Sequence, residues 1–215
     1  VIYNGVDINV FENRRWKMDN GKEKIREILH ITKDELVVGM IANFSWIKGH
    51  REFIEAAKLI AQEVPNVKFV LVGEGSLLQS RQVTTSQSHQ LKDKVLFLGK
   101  RSDIPELLSI MDVSVNASYS EGMSNTVLES MGAGVPVVAA AVDGNLETVV
   151  EGGTGLLVPP RDSEALAEAI VRLLKDRELR KQLGENGKLR IENGFTHEKM
   201  VKNIESLYMK LTQPK

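Results

Sequence analysis

Two glutamates eight residues apart, Glu121 and Glu129, frame the stretch of this sequence richest in groups that could handle a phosphorylated ligand. The stretch reads Ser118-Tyr119-Ser120-Glu121-Gly122-Met123-Ser124-Asn125-Thr126-Val127-Leu128-Glu129; it follows a β-branched run and opens into an apolar, helix-like run that ends near Gly132 to Gly134. A strand-end loop that feeds a helix leaves backbone N–H groups unpaired at the positive end of the helix dipole. Such a turn can hold a diphosphate without any basic side chain. Gly122 lets the backbone come close to a ligand. Glu129, one to two turns into the helix, could accept two hydrogen bonds from vicinal ribose hydroxyls, and Glu121 could face a sugar on the far side of the diphosphate. The plainer alternative makes Thr126-x-x-Glu129 a capping box and Glu121 a solvated loop acid.

Two further loops carry candidate groups. Asn43-Phe44-Ser45-Trp46-Ile47-Lys48-Gly49 precedes a helical pattern, and Lys48 is placed to neutralise phosphate as a mobile point charge. Gly73-Glu74-Gly75-Ser76 has two glycines that permit positive φ and close approach of a ligand. Gly73-x-Gly75 does not complete a dinucleotide fingerprint: Leu78 stands at the third glycine position, and the pair follows the second strand-like run rather than the first. A Walker-type phosphate loop is absent from the sequence. His30, His50, His89 and His197 stand singly without metal-ligand spacing, so no bound metal is expected.

The elements that must position these loops are short β-branched runs bounded by Gly, Asn or Pro. They are Val37–Ala42, Lys68–Gly73, Val95–Gly99, Val113–Ser118, Pro136–Ala141 and Gly155–Val158. Between them lie apolar residues at helical spacing, such as Phe53, Ala56, Ala57 and Ile60, then Ile104, Leu107, Leu108 and Met111. Strands alternating with helices predict a Rossmann-like α/β domain whose six-stranded parallel sheet is flanked by helices. A helical tail should follow, through Ala165–Leu174, Arg177–Asn193 and His197–Leu211, with Gly194 as a stop between the last two. Arg81–Gln90 is polar and reads as a helix end or a loop. Ligands of such sheets bind beyond the carboxyl ends of the strands, so the loops after Ala42, Gly73, Gly99 and Ser118 should hold the site.

Composition narrows the classes. With 215 residues, 42% hydrophobic and 27% charged, the chain suits one globular domain with a substantial core. The balance of 28 basic against 29 acidic residues leaves no global field to attract a nucleic acid, so anion binding must be local. The absence of cysteine removes disulfides, thiolate metal sites and cysteine nucleophiles, and fits a cytoplasmic location. The longest uncharged apolar run, Val135 to Val142, is far short of a bilayer span. The chain opens on a strand-like Val1-Ile2-Tyr3-Asn4-Gly5 without an initiator Met, as an excised piece of a longer protein would.

Taken in order, these motifs resemble the group 1 family of retaining GT-B glycosyltransferases, in its C-terminal, nucleotide-sugar-binding domain. Asn4-Gly5-Val6-Asp7 looks like the interdomain segment, Lys48-Gly49 the phosphate loop and Gly73-Glu74-Gly75 the second glycine loop. Phe97-Leu98-Gly99 with Asp103-Ile104-Pro105, the pair Glu121 and Glu129, and Gly134-Val135-Pro136-Val137-Val138-Ala139 continue the match. The resemblance implies a hexosyl transfer from a nucleotide diphosphate sugar with retained anomeric configuration, with no cofactor and no obligatory metal. A UDP-sugar comes first as donor, a GDP- or ADP-sugar second. Lys48 and Glu121 would be the catalytic pair, Lys48 on the diphosphate and Glu121 on the donor sugar. The backbone of Gly122, Met123, Ser124, Asn125 and Thr126 would cradle the diphosphate and Glu129 would hold the ribose. Gly73, Gly75 and Asn43 would line the donor cleft, while Arg101 to Ile104 would flank the base.

Two departures accompany the resemblance. Many relatives carry an Arg five residues before the Lys, where this chain has Asn43, so one phosphate cation is missing unless another basic residue substitutes. The resemblance also implies an N-terminal acceptor domain outside residues 1–215, which are expected to form a donor domain that should bind donor but transfer little. The expected partners are the nucleotide sugar, that missing domain and a sugar, lipid or polysaccharide acceptor, with peripheral contact of the full enzyme at the inner face of the membrane. No nucleic acid partner is expected. Competing readings are a GT-B-shaped epimerase or phosphorylase and a non-catalytic nucleotide-binding domain. The last helix, which in relatives crosses back to the missing domain, should expose an apolar face.

Overall fold

A computed structural model of the protein describes residues 1–12, 21–77 and 91–212. The expectation for Arg81–Gln90 lies outside these residues. Six strands, β1 (Leu36–Ile41), β2 (Val67–Val72), β3 (Val95–Phe97), β4 (Val113–Asn116), β5 (Val137–Ala140) and β6 (Gly155–Val158), form one sheet in the order β3-β2-β1-β4-β5-β6. Every pairing is parallel, with Leu36 opposite Val67 and Val38 opposite Val113 at the centre. These are the six strands expected from the β-branched runs: β1 and β2 begin one residue earlier than expected, β1 to β5 end one or two residues sooner, and β6 has the expected bounds.

The helices are α1 (Asn9–Glu12), α2 (Gly21–Ile28), α3 (His50–Glu63), α4 (Ile104–Ile110), α5 (Asn125–Gly132), α6 (Asp143–Thr148), α7 (Ser163–Lys175), α8 (Arg177–Gly194) and α9 (His197–Thr212). Strand side chains alternate between two cores because a pleated strand points successive residues to opposite faces. Val38, Met40, Phe69, Leu71, Val113 and Val115 pack against Phe53, Ala57 and Ile60 of α3 and Leu166 and Ile170 of α7. On the other face, Val37, Val70 and Val72 meet Leu107 and Leu108 of α4, while Val137 and Ala139 meet Val127 and Met131 of α5 and Ile191 of α8. With both faces covered, the strands read as continuous apolar runs.

The tail is helical as expected, but Gly194 lies within α8 and the break falls at Phe195. Phe195 is buried, its N–H donates to the Ile191 carbonyl and its own carbonyl accepts from Val6 N–H at 2.9 Å. The amino-terminal segment is therefore tied to the α8–α9 junction, where Tyr3 also packs on the Phe195 ring. Beyond it, α9 exposes Val201, Leu207, Tyr208, Met209 and Leu211, the apolar face expected of this helix.

Strand order reverses between β1 and β4: the chain builds outward through β2 and β3, then returns to the middle and builds outward through β5 and β6. Such a reversal opens a crevice at the carboxyl ends of the two central strands. The loops after β1 and β4 face each other there.

Candidate active site

The loop after β1 is held by its own backbone. Residues Trp46–Lys48 form a single 3-10 turn, closed by Gly49 at φ 70°. A Cβ on Gly49 would lie 2.0 Å from the Ala117 carbonyl oxygen, so only glycine lets the β1 loop pass this close to the end of β4. Tyr119 N–H donates to the Ile47 carbonyl at 2.8 Å and locks the two loops together.

That arrangement places Lys48 Nζ 2.7 Å from Glu121 Oε1. The same oxygen accepts from Ser118 Oγ at 2.7 Å and from Asn116 Nδ2 at 3.3 Å. Burial acts to raise the Glu121 carboxyl, but Lys48, Ser118 and Asn116 outweigh it and hold the group below the usual glutamate range. Glu121 is thus an anchored, ionised carboxylate, and the reading of it as a solvated loop acid is set aside.

Beneath the pair runs a buried polar network. Asn116, the last residue of β4, also gives Nδ2 to Ser124 Oγ at 3.0 Å, and its Oδ1 accepts from Ser118 N–H and from Asn145 Nδ2, each at 3.2 Å. Asn145 is fully buried and donates further to the Ala140 carbonyl at 3.0 Å. The network joins the ends of β4 and β5 to the start of α5. Sequence reasoning did not single out Asn116, Ser118 or Asn145. The available signal was an asparagine closing an otherwise apolar strand, where a buried amide must find partners.

Helix α5 is capped by Ser124, whose hydroxyl accepts from Val127 N–H. This corrects the capping-box alternative: Thr126 lies inside the first turn and spends its hydroxyl on the Ile41 carbonyl at 3.1 Å, tying α5 to β1. Among the described residues, the backbone N–H groups of Gly122, Met123, Ser124, Asn125 and Thr126 find no intramolecular acceptor. The space beside Gly122 is open. Five free donors at a helix start are an anion-binding arrangement.

Glu129 follows on the same helix and, among the described residues, its carboxylate has no hydrogen-bond or ion-pair partner. Burial pushes its carboxyl above the usual glutamate range. It borders two adjoining cavities. One, of about 170 Å³, is lined by Gly5, Asp7, Asn125 and His197; the other, of about 210 Å³, by Val10, Phe11, Ile104 and Pro105. Asn125 is fixed at their edge by a hydrogen bond from Asn4 Nδ2 at 3.2 Å.

The remaining candidates fall nearby with different roles. Gly73 and Gly75 have φ of 145° and 148°, as their positions suggested, but the close approach they permit is to the chain itself. A Cβ on either would collide with the Ala42 or Phe44 carbonyl, at 2.1 and 2.5 Å. Asn43 is exposed in the same loop and its carbonyl accepts from Ser45 N–H. Arg101 is paired locally to Asp103 at 2.8 and 2.5 Å, while Ile104 lines the second cavity with Glu129.

Comparison with known proteins agrees with this geometry. Residues 21–190 match the family model described as glycosyl transferases group 1. The chain is 34% identical over 211 residues to the UDP-Gal:alpha-D-GlcNAc-diphosphoundecaprenol alpha-1,3-galactosyltransferase of Escherichia coli, covering 97% of this chain and 53% of that protein. It superposes with TM-score 0.86 and 30% identity on Anabaena HepE solved in complex with UDP and glucose, covering 98% of this chain and 56% of that one. The C-terminal domain of the group 1 family protein LpcC from Francisella tularensis matches with TM-score 0.77 and 26% identity, over 90% of this chain and all of that one. The chain spans about half the length of the curated relatives it matches. The family match over residues 21–190, joined to the loops gathered at the strand-order reversal, makes this chain a member of the group 1 glycosyltransferase family.

Proposed function

We propose that residues 1–215 are the donor-binding domain of a retaining glycosyltransferase that works with an N-terminal acceptor domain. The observation that carries this reading is the shared crevice: Lys48 on Glu121, five free N–H groups at the start of α5, and the unpartnered carboxylate of Glu129 one turn further on. A diphosphate fits the N–H groups and Lys48, a ribose fits Glu129, and a base fits the apolar slot of Ile104 and Pro105. Glu121 then faces the donor sugar. UDP is the first candidate nucleotide, supported by the relative that uses UDP-Gal and the neighbour solved with UDP.

Cleavage of the glycosyl–phosphate bond builds negative charge on the departing diphosphate and positive character on the anomeric carbon. Preorganised N–H donors and the Lys48 ammonium stabilise the first, and the ionised Glu121 carboxylate offsets the second. With Asn43 where a cation stands in many relatives, Lys48 carries the side-chain charge of the phosphate site.

The full enzyme is proposed to act in the cytoplasm at the inner face of a membrane, by analogy with the relative named for a diphosphoundecaprenol acceptor. Among the described residues no helix is long and apolar enough to cross a membrane. The exposed apolar face of α9 would contact the N-terminal domain.

Calorimetric titration with UDP, GDP, ADP and their sugar conjugates, with and without magnesium, tests the reading. Magnesium-independent binding of one nucleotide class, weakened in Glu129→Ala, is the expected result. A folded sample that binds none of them would refute the donor assignment for this domain.

A further inference from the structure

The rim beside the Lys48–Glu121 pair carries groups that the donor reading leaves unused. Trp46, two residues before Lys48, is 68% exposed although the turn that carries it is closed by Lys48 N–H on the Ser45 carbonyl and tied to Tyr119 N–H through the Ile47 carbonyl. Its ring centroid lies 6.2 Å from that of Tyr119. Tyr119 is itself immobilised: its hydroxyl donates to Glu52 Oε2 at 2.5 Å, and burial followed by the Glu52 carboxylate pushes that hydroxyl up to about 12. The guanidinium of Arg161 lies over the Tyr119 ring, 4.6 Å from its centroid.

Arg161 holds this position at a backbone cost. Its φ is 64°, in the left-handed region that favours glycine, and it is exposed, so no core packing compensates. Asp143, after β5, also has positive φ and accepts from Ser120 Oγ at 3.0 Å. The loops after β5 and β6 thus both bend unfavourably to buttress the Tyr119–Ser120 turn. Among the described residues no carboxylate lies within salt-bridge distance of Arg161, and Arg51, whose charge also acts on Tyr119, is exposed nearby without an ion pair. The rim therefore presents an exposed indole and uncompensated guanidinium charge, each set against the Tyr119 ring.

That combination complements one chemistry. The C–H face of a pyranose stacks on an exposed indole while its hydroxyls stay in water, and a phosphate or carboxylate on the same sugar pairs with the guanidinium. Neither a neutral sugar nor a bare anion uses both halves.

We propose that Trp46, Tyr119 and Arg161 form a second saccharide site that takes an anionic pyranose at the sugar end of the crevice. Calling this ligand the acceptor rests on the donor reading above; the site itself does not. Trp46 and Arg161 are the residues that touch it, and Tyr119 positions Arg161.

The test is titration of the chain, with and without saturating UDP, by N-acetylglucosamine 1-phosphate, methyl glucuronide, neutral methyl glucoside and inorganic phosphate. Tryptophan fluorescence and calorimetry read the binding. The two anionic sugars should bind with Kd on the order of 1 mM, the size expected of ligands this small. Trp46→Ala and Arg161→Gly should each weaken them about tenfold, as loss of one stacked ring or one charged contact does. UDP affinity should stay within about twofold of the unaltered chain in both variants, because neither residue touches the nucleotide cavities. Arg161→Gly also relieves the backbone and should raise the melting temperature while binding falls, which a purely structural arginine would not do.

A preference for sugar 1-phosphate over glucuronide would identify a phosphorylated acceptor, and the reverse an acidic glycan; either supports the site. Equal binding of methyl glucoside, equal binding of inorganic phosphate, or sugar binding unchanged in both variants would overturn it. So would binding to phosphatidylglycerol vesicles without binding of either anionic sugar. Failure of UDP alone would count against the donor reading and leave the saccharide result to decide this one.

Discussion

Lys48 Nζ lies 2.7 Å from Glu121 Oε1 although 73 positions separate the two residues. The contact joins the cation proposed for the diphosphate to the acid proposed for the donor sugar, so a donor that engages both must enter between charges already in place. Because Glu121 is kept ionised by Lys48, Ser118 and Asn116, it can offset positive charge at the sugar without first losing a proton.

Replacement of Glu121 should separate sugar from nucleotide recognition. Glu121→Gln is expected to weaken nucleotide-sugar binding about tenfold, the loss of one charge-assisted hydrogen bond, while free nucleotide binds as well or better because Lys48 is released. Paired calorimetric titrations with UDP and a UDP-sugar check this. Equal weakening of both ligands would show that Glu121 supports the site as a whole.

Glu129 sets a pH dependence of definite sign. Burial raises its folded pKa above the ordinary 4.5, so ionisation is costly in the folded chain and its penalty grows as pH rises from 4.5 through the raised value. Glu129→Gln should therefore increase the melting temperature at neutral pH by about 1–3 °C, a gain below ~1 kcal/mol for a half-buried group in a chain of this size. The gain should vanish below pH 4.5, where the carboxyl is protonated in both states. Melting curves across that range decide the matter; a gain that persists in acid would require another cause.

Asn116 should matter more for stability than its size suggests. Asn116→Ala removes the acceptor for Ser118 N–H and Asn145 Nδ2 together with a donor to Glu121 and Ser124. Glu121, Ser124 and Asn145 keep other partners, but Ser118 N–H and one amide hydrogen of Asn145 are left buried without an acceptor, which is expected to cost about 2–4 kcal/mol, against about 1 kcal/mol for loss of the helix cap in Ser124→Ala. Urea denaturation of the two variants gives the comparison, and equal losses would contradict the network.

Gly49→Ala tests whether the β1 loop is positioned by contact with β4. Its Cβ would meet the Ala117 carbonyl oxygen at 2.0 Å in a residue with φ of 70°, so the loop must move. A destabilisation of about 2–3 kcal/mol is expected, together with weaker nucleotide binding as Lys48 shifts from Glu121. Stability measured beside UDP affinity distinguishes this from a local turn effect, which would leave affinity unchanged.

The amino-acid sequence by itself determined the class of the protein. Six β-branched runs alternating with helical periodicity require a parallel sheet covered on both faces, because residues such as Val37 and Val38 must be buried on opposite sides at once. The loop from Ser118 to Glu129 was legible as an anion-binding helix start for a similarly local reason: its donors, its cap and its acids lie within one short stretch. Only the tertiary structure decided how these groups work together. Strand order is not written in periodicity, and the reversal between β1 and β4 is what brings Lys48 to Glu121. Likewise Asn116, Asn145 and Arg161 acquire their roles from neighbours on other loops, through contacts whose distances depend on packing rather than on spacing along the chain. The glycines show the same division: positive φ at Gly73 and Gly75 was readable from their type, but whether ligand or chain fills the space beside them was settled by the fold.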